Sequence, residues 1–167
     1  YRSLYLNITG YYNTANGYKS LYSNTQGYAN TAIGNEALYS NTTGYTNTSV
    51  GLQSLYTNTI GYSNTATGNK ALYSNISGNF NTVNGFNALY SNTLGNTNTA
   101  MGYEALRHNL GGNSNIAIGA NALWLNQNRS NLVAVGDSSL YSNGANSTLS
   151  YHATKNTAIG SKALYSN

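Results

Sequence analysis

The hydrophobic positions of this chain recur with a fixed period of 17 residues. A leucine returns at this interval, with a small residue before it and, in most repeats, a tyrosine after it. A period of this length predicts a repeat protein, in which each unit buries its apolar face against the next unit. The leucine series is Leu4, Leu21, Leu38, Leu55, Leu72, Leu89, Leu106, Leu123 and Leu140, and Leu164 resumes it after a longer step.

Two glycine series keep the same period and divide each repeat into two short segments, represented by residues 30–33 and 37–41. Glycine destabilises a helix by about 1 kcal/mol relative to alanine, and segments this short do not accommodate a helix of ten residues. The sequence therefore predicts a strand, a turn, a second strand and a second turn in every repeat. The glycines are Gly10, Gly27, Gly44, Gly61, Gly78, Gly95 and Gly112, and Gly17, Gly34, Gly51, Gly68, Gly85, Gly102, Gly119 and Gly136.

Stacked strands of this kind place equivalent residues about 4.8 Å apart, so that leucine lies over leucine and asparagine over asparagine. Along each strand the side chains alternate, and Thr31 and Ile33 are expected to share one face while Ala32 lies on the other. Later repeats carry Ile116 and Val133 at the threonine position, which favours an inward-facing site. The fold class predicted is all-β, a parallel β-solenoid with 17-residue coils, as one domain over residues 1–167.

The composition supports a folded chain whose polarity comes from amides and hydroxyls. Only 6% of the residues are charged, whereas 30 are asparagine and 17 are tyrosine. Disordered chains usually combine high charge with few aromatic residues, which is not the case here. Asparagine tolerates left-handed turn positions and bonds to the local backbone, which is one reason for its frequency. A core built on one leucine per coil is small, so side-by-side association of chains is expected.

The charges and the apolar runs limit the partners. The net charge of +4 comes from seven basic residues scattered along the sequence, without the concentrated patch that nucleic-acid binding requires. No run of about 18 apolar residues occurs, so this segment is not expected to span a membrane. There is no cysteine, and both ends of the chain fall within a repeat, which indicates a piece of a longer protein.

Residues for catalysis or metal binding are few and far apart. The two histidines, His108 and His152, have no second ligand at metal spacing. Glu36 and Glu104 occupy the same place in coils four apart, hence roughly 19 Å from each other, which is too far for a pair of catalytic carboxylates. We expect no enzyme activity, no metal and no cofactor, and a polysaccharide-cleaving solenoid lacks the acidic cluster it needs.

Several repeats resemble the head repeats of YadA-like trimeric autotransporter adhesins. The similarity is carried by "NTAIGNEAL" at residues 30–38, "SNIAIGANAL" at 114–123 and "KNTAIGSKAL" at 155–164, and it extends over the whole chain. The resemblance implies a left-handed parallel β-roll, a homotrimer, and side chains of the Thr31 and Ile33 type that point into the roll, with Gly34 in a turn. The unit here is longer than the usual family repeat, and similar repeats also resemble the shafts of tail fibres.

The C-terminal third departs from the pattern. From Gly136 to Gly160 the step is 24 residues instead of 17, which indicates an insertion near residues 141–155. A loop that bulges from one coil is one interpretation, and a loop that contacts a ligand is the other. Arg129 replaces an opening glycine, while Arg107 and Trp124 replace the usual tyrosine.

Tyrosine forms two columns, of which one begins at Tyr22 and runs beside the leucines. Such columns could contact sugars or a protein ligand, or they could pack between chains of an oligomer. The candidate binding surface consists of the second column and the aromatic or histidine residues of the irregular third. These residues are Tyr11, Tyr28, Tyr45, Tyr62, Trp124, Tyr151 and His152.

These features predict a structural and adhesive segment of a trimeric surface adhesin or fibre. By the resemblance it is extracellular, on a cell surface or a fibre surface, and its ligand is an extracellular protein or glycan. The alternative is an ice-binding β-solenoid that uses the file of threonines beginning at Thr14, although only one threonine per strand is evident and Ile116 and Val133 interrupt the file.

Overall fold

The structure is a computed structural model that describes residues 1–144 and 153–167. In this described part the chain forms one parallel sheet of nine strands, which follow one another in chain order as the coils of a solenoid do. The strands are β1 (Thr14–Asn16), β2 (Thr31–Ile33), β3 (Thr48–Val50), β4 (Thr65–Thr67), β5 (Thr82–Asn84), β6 (Thr99–Met101), β7 (Ile116–Ile118), β8 (Val133–Val135) and β9 (Thr157–Ile159).

Successive strands pair residue for residue. Thr31 lies beside Thr48 in the register of β2 and β3, and the same 17-residue offset joins every pair from β1 to β8. The predicted all-β parallel solenoid with 17-residue coils is therefore confirmed. β9 pairs with β8 at an offset of 24 residues, with Thr157 beside Val133, so the stack continues past the insertion. Most of the predicted insertion, residues 145–152, lies outside the described residues.

The middle residue of each strand faces the core. Ala32 is fully buried, whereas Ile33 keeps 41% of its surface exposed. The expectation that the Thr31 and Ile33 type of position points inward is wrong, as is its extension to Ile116 and Val133, because Ile116 is also exposed. Small side chains fit on the inner side of the strand, alanine in most coils with Ser49 and Val83 as the exceptions, since the interior is already filled by leucine and asparagine. The predicted sharing of one face by Thr31 and Ile33 holds, but that face is the outer one.

The second predicted strand of each coil is absent from the part of the chain that the structure describes. Residues 37–41 form turns instead, because Glu36 and Leu38 have φ values of 53° and 54°, in the left-handed region, and a pleated strand cannot include them. The coils still bond to each other here, through Leu38 N donating to Ser54 O at 3.0 Å. The left-handed backbone directs Leu38 into the core, where burial offsets a cost of about 1–2 kcal/mol.

The apolar core is a set of columns. The leucines that follow the glycine turns, from Leu21 to Leu140, are fully buried, and they pack with two columns of small residues represented by Ala32 and Ala37. Leu38 and Leu55 occupy the same place in successive coils, as the sequence predicts. Because each coil contributes one large apolar side chain, the remaining interior is filled by polar groups.

Those polar groups are two columns of buried asparagine. The first asparagine ladder runs from Asn7 to Asn126. From Asn24 onward each Nδ2 donates to Oδ1 of the preceding member and to the carbonyl three residues ahead, which belongs to a glycine except at Arg129. Asn58 Nδ2, for example, lies 2.9 Å from Asn41 Oδ1 and 3.0 Å from Gly61 O. Amides that bond in both directions satisfy one another inside a core that excludes water.

The second asparagine ladder runs from Asn13 to Asn115. Asn47 donates through both its backbone N and its Nδ2 to Asn30 Oδ1, and its Nδ2 also reaches Gly61 O at 2.8 Å. Most left-handed positions of the coil are occupied by other residues, such as Ala29 and Leu38, and the asparagines with left-handed backbone are Asn87, Asn121 and Asn131. The abundance of asparagine is therefore explained chiefly by these two ladders and less by tolerance of turns.

Both ladders change near the insertion. Leu132 stands in the second ladder where an asparagine would follow Asn115, and it is fully buried. In the first ladder Asn143 donates to Ala153 O instead of to Asn126, so Asn126 Oδ1 is buried without a partner. Arg129 keeps the backbone role of the glycine that it replaces, because its carbonyl accepts from Asn115 and Asn126. A search of the described residues finds no helix able to cross a bilayer.

Candidate functional site

Tyrosine side chains stack along the solenoid in two files on its outside. The first, called here the long ladder, contains six rings whose neighbouring centroids lie 5.0–5.3 Å apart with interplanar angles of 3–11°. Offset or parallel ring pairs at this distance stabilise each other beyond their burial. The members of the long ladder are Tyr5, Tyr22, Tyr39, Tyr56, Tyr73 and Tyr90.

The second file, the short ladder, contains four of the predicted site residues. Tyr11, Tyr28, Tyr45 and Tyr62 stack at 4.7–5.0 Å with interplanar angles of 3–5°. It ends at Asn79, whose Oδ1 accepts from the backbone N of Tyr62. The sequence thus placed these four residues together correctly.

The remaining predicted site residues do not join the short ladder. Trp124 continues the line of the long ladder and stacks on Tyr141 at 5.2 Å, followed by Tyr165. Tyr151 and His152 lie outside the described residues. The predicted surface is therefore divided between two separate files of side chains.

Stacking leaves only part of each tyrosine available. Except at the ends of a ladder both ring faces are covered by neighbours, so a sugar ring or a base cannot stack on them. The ring edges and the hydroxyls remain. Burial, followed by the charges of Glu36 and of neighbouring tyrosines, raises the pKa of Tyr56, so its hydroxyl stays protonated at neutral pH and can donate.

Most charged residues lie beside the long ladder, although they are scattered along the sequence. Arg2 lies 5.5 Å from the Tyr5 ring centre, Lys70 lies 5.8 Å from Tyr73, and Lys19 lies 5.7 Å from Tyr22. Lys19 and Lys70 each lie two positions after a turn glycine and three before a ladder ring, as Glu36 does. Arg2 likewise lies three positions before the ring of Tyr5. The sequence signal for this arrangement is that these charged residues keep the same 17-residue period as the apolar residues.

A polar cluster interrupts the long ladder beyond Tyr90. Arg107 replaces a tyrosine, its guanidinium lies 5.6 Å from the Tyr90 ring centre, and it forms an ion pair with Glu104. Trp124 Nε1 donates to the other carboxylate oxygen of Glu104 at 2.9 Å. The Arg107 guanidinium thus takes the place of a ring in the long ladder, and the neighbouring Glu104 carboxylate balances its charge.

Burial alone raises the pKa of Glu104, but hydrogen bonds from Trp124 and Asn87 together with the charge of Arg107 outweigh it, so the pKa is lowered. His108 packs edge-on against Trp124, with ring centres 4.3 Å apart, and its Nε2 is buried without a hydrogen bond. Burial and the neighbouring Arg107 lower the pKa of His108, so the neutral imidazole is favoured. His108 is therefore a partly buried residue of a turn.

The outer side of the sheet presents a strip of two residue columns, called here the threonine face. Fifteen of its eighteen outward residues are threonine, isoleucine or valine, and none is charged. One column is Thr14, Thr31, Thr48, Thr65, Thr82, Thr99, Ile116, Val133 and Thr157, and the other is Asn16, Ile33, Val50, Thr67, Asn84, Met101, Ile118, Val135 and Ile159.

Across residues 1–144 and 153–167 no three His, Cys, Asp or Glu side chains come together as a metal site. Comparisons of the chain with protein-family models, with curated proteins and with solved structures found no match.

Proposed function

We propose that this chain is a structural and adhesive segment of an extracellular fibre or trimeric surface adhesin. The observation that carries the proposal is the residue-for-residue register of nine parallel strands. Strands about 4.8 Å apart make a rod roughly 40 Å long, whose stiffness comes from ladders that bond every coil to the next. Such a rod holds repeated side chains at fixed spacing away from its point of attachment.

The threonine face is the surface by which three copies would associate. It is free of charge, and interfaces are depleted of charged residues at their centres. Met101 and Ile159, both on this face, keep 42% and 72% of their surfaces exposed in the single chain. In a closed trimer each copy contacts two others, so the exposed aliphatic side chains of the face would be covered. The left-handed coil implied by the resemblance belongs to the same proposal.

The test is the mass of the purified chain in solution by light scattering. The expected mass is three times the 17.8 kDa of one chain. Thr65→Lys and Thr99→Lys together place charge on the threonine face and should give monomers, because unpaired charge is costly in an interface. Thr43→Lys, at an exposed site off the sheet, is the matched control and should remain trimeric. A wild-type chain that is folded and monomeric would remove the trimer from the proposal.

Ice binding is a second candidate, favoured by the observation that the strip has two outward columns of small, largely branched residues. The sequence revealed one threonine file, whereas the structure adds a second column, including Thr67 and Ile33, at the same spacing along the rod. A regular, uncharged array on a rigid sheet can match a repeating lattice of water. Measurable thermal hysteresis from a monomeric chain would favour this candidate, and its absence from a trimeric chain would eliminate it.

A further inference from the structure

The edge of the solenoid beside the long ladder combines cations with ordered hydroxyls. Of the seven basic residues, five lie along this edge: Arg2, Lys19, Lys70, Arg107 and Lys162. Lys162 is assigned to this edge from its backbone hydrogen bond in the last coil. Its N donates to Asp137 O, just as Glu36 N donates to Tyr18 O at the equivalent position of an earlier coil. Four of these five cations lie over tyrosine rings, and this contact favours a position along the ladder before any ligand arrives.

The acidic residues near the edge do not cancel this charge. Gln53 Nε2 donates to Glu36 at 2.8 Å, while Glu104 is held by Arg107 and Trp124. Asp137 lies at the C-terminal end of the edge and is exposed. Five cations against three carboxylates leave a net positive strip, and its N-terminal half carries three cations against Glu36 alone. An anionic partner is favoured by this balance.

The hydroxyls of the long ladder are available to that partner. Within the described residues, none of the six forms a hydrogen bond in the structure, and none is buried without a partner. They repeat at the spacing of the rings, 5.0–5.3 Å. In an extended 1,4-linked polysaccharide, the distance from one sugar to the next is about the distance between neighbouring strands. A polysaccharide chain that lies parallel to the rod would therefore meet one tyrosine per sugar.

We propose that the long-ladder edge binds an extended acidic polysaccharide, a 1,4-linked polyuronate, with its chain parallel to the stacking axis. Lysine and arginine side chains contact the carboxylates, and tyrosine hydroxyls donate to sugar oxygens. The covered ring faces disfavour single-stranded nucleic acid, which relies on bases stacked on aromatic rings. This inference names a ligand class for the adhesive segment proposed above, and in that sense it depends on the proposed function.

The probes are β-1,4-linked mannuronate oligomers of two to ten sugars, with cello-oligosaccharides of equal length as the neutral control. Binding to the 167-residue chain is measured by titration calorimetry at low and at moderate salt. Affinity should increase with oligomer length until the six-ring ladder is covered, because each added sugar binds intramolecularly. It should decrease with added salt, and the neutral oligomers should bind at least about tenfold more weakly.

The variants locate the site. Lys19→Gln with Lys70→Gln should weaken binding of the longest oligomer about tenfold, whereas Lys155→Gln, which lies before β9 and away from the ladder, should leave it unchanged. Tyr39→Phe with Tyr56→Phe keeps the stack and should weaken binding several-fold by removing two donors. Thermal unfolding of each variant shows whether a loss of binding reflects a loss of fold.

The inference is overturned if neutral oligomers bind equally well, if Lys155→Gln weakens binding as much as the double variant, or if an oligothymidylate binds more tightly than the uronates. A trimeric chain that binds no uronate would overturn this inference and leave the proposed function standing. A monomeric chain that binds uronates through Lys19 and Lys70 would overturn only the trimer.

Discussion

At the scale of single residues, the buried asparagines of the first ladder hold the coils together through side-chain bonds to the coils on both sides. Asn58 donates to Asn41 Oδ1 and Gly61 O, and its own Oδ1 accepts from Asn75 Nδ2 at 2.7 Å. All three side chains are fully buried. Loss of the Asn58 amide therefore leaves Asn41 Oδ1 buried without a partner and removes one bond each from Asn75 Nδ2 and Gly61 O, which keep their bonds to Gly78 O and Asn47 Nδ2. An unsatisfied buried group costs more than the bond itself contributes.

Asn58→Ala should accordingly lower the free energy of unfolding by about 3–5 kcal/mol, because three buried polar groups each lose a bond. Chemical denaturation at neutral pH measures the change. Asn35→Ala, at an exposed position of a neighbouring coil, is the control and should change stability by less than about 0.5 kcal/mol. Equal effects of the two substitutions would show that the ladder does not carry this stability.

Glu104 and His108 predict that acid destabilises the fold in two steps. The lowered pKa of His108 means that the unfolded chain binds more protons as the pH falls below about 6.5, and the lowered pKa of Glu104 has the same effect below about 4.3. The melting temperature should therefore decrease in both windows. His108→Gln should remove the upper step and Glu104→Gln the lower one. A melting temperature whose pH dependence is identical in the double variant would contradict this assignment.

Residue-level periodicity in the sequence predicted the leucine core, the tyrosine columns and the stacking of asparagine on asparagine. It did not predict which side of the strand is the inner one, because Thr31 and Ile33 are compatible with a core and Ala32 with a surface. The interior volume decides that question, and it depends on how far Leu38 and the asparagines reach. The charged edge was predictable in principle, since Lys19 and Lys70 occupy the same place in the period.

At the scale of the coil, the turn glycines determine how closely successive coils approach. Gly68 has a φ of 127°, and a Cβ at this position would lie 2.6 Å from Gly85 O in the next coil. The backbone conformation and the close approach both require glycine, and the sequence alone does not separate the two requirements. The second segment of the coil was mispredicted for a related reason, since left-handed leucine has no signature in a pattern of apolar and polar residues.

Gly160 makes the two requirements separable. Its φ is 122°, yet a Cβ there would meet nothing within 4 Å. Gly160→Ala should cost only the backbone strain, about 1–3 kcal/mol, whereas Gly68→Ala adds a clash with the next coil and should cost clearly more. Urea denaturation of the two variants compares them directly. A cost for Gly160→Ala as large as that for Gly68→Ala would show that backbone strain alone explains both glycines.

At the scale of the whole molecule, the coils are interchangeable units with different outer surfaces. The interior repeats without change through most of the rod, while charge is confined largely to the long-ladder edge and absent from the threonine face. One rod can therefore present an uncharged side for association and a charged side for a ligand. This division follows from the period, because a residue exchanged at one position of the repeat affects one line along the rod.

Interchangeable coils predict that one whole unit can be removed. Deletion of residues 45–61 joins Gly44 to Tyr62, which restores the sequence context of Gly61 and leaves every ladder in register. The shortened chain should fold cooperatively, and small-angle scattering should show a rod about 5 Å shorter. Deletion of residues 45–52, about half a coil, places Gln53 after Gly44 and brings leucine over unlike residues in the next coil. The chain that lacks residues 45–52 should lose its cooperative unfolding transition. If it unfolded as cooperatively as the chain that lacks residues 45–61, the register of the repeat would not be what stabilises the rod.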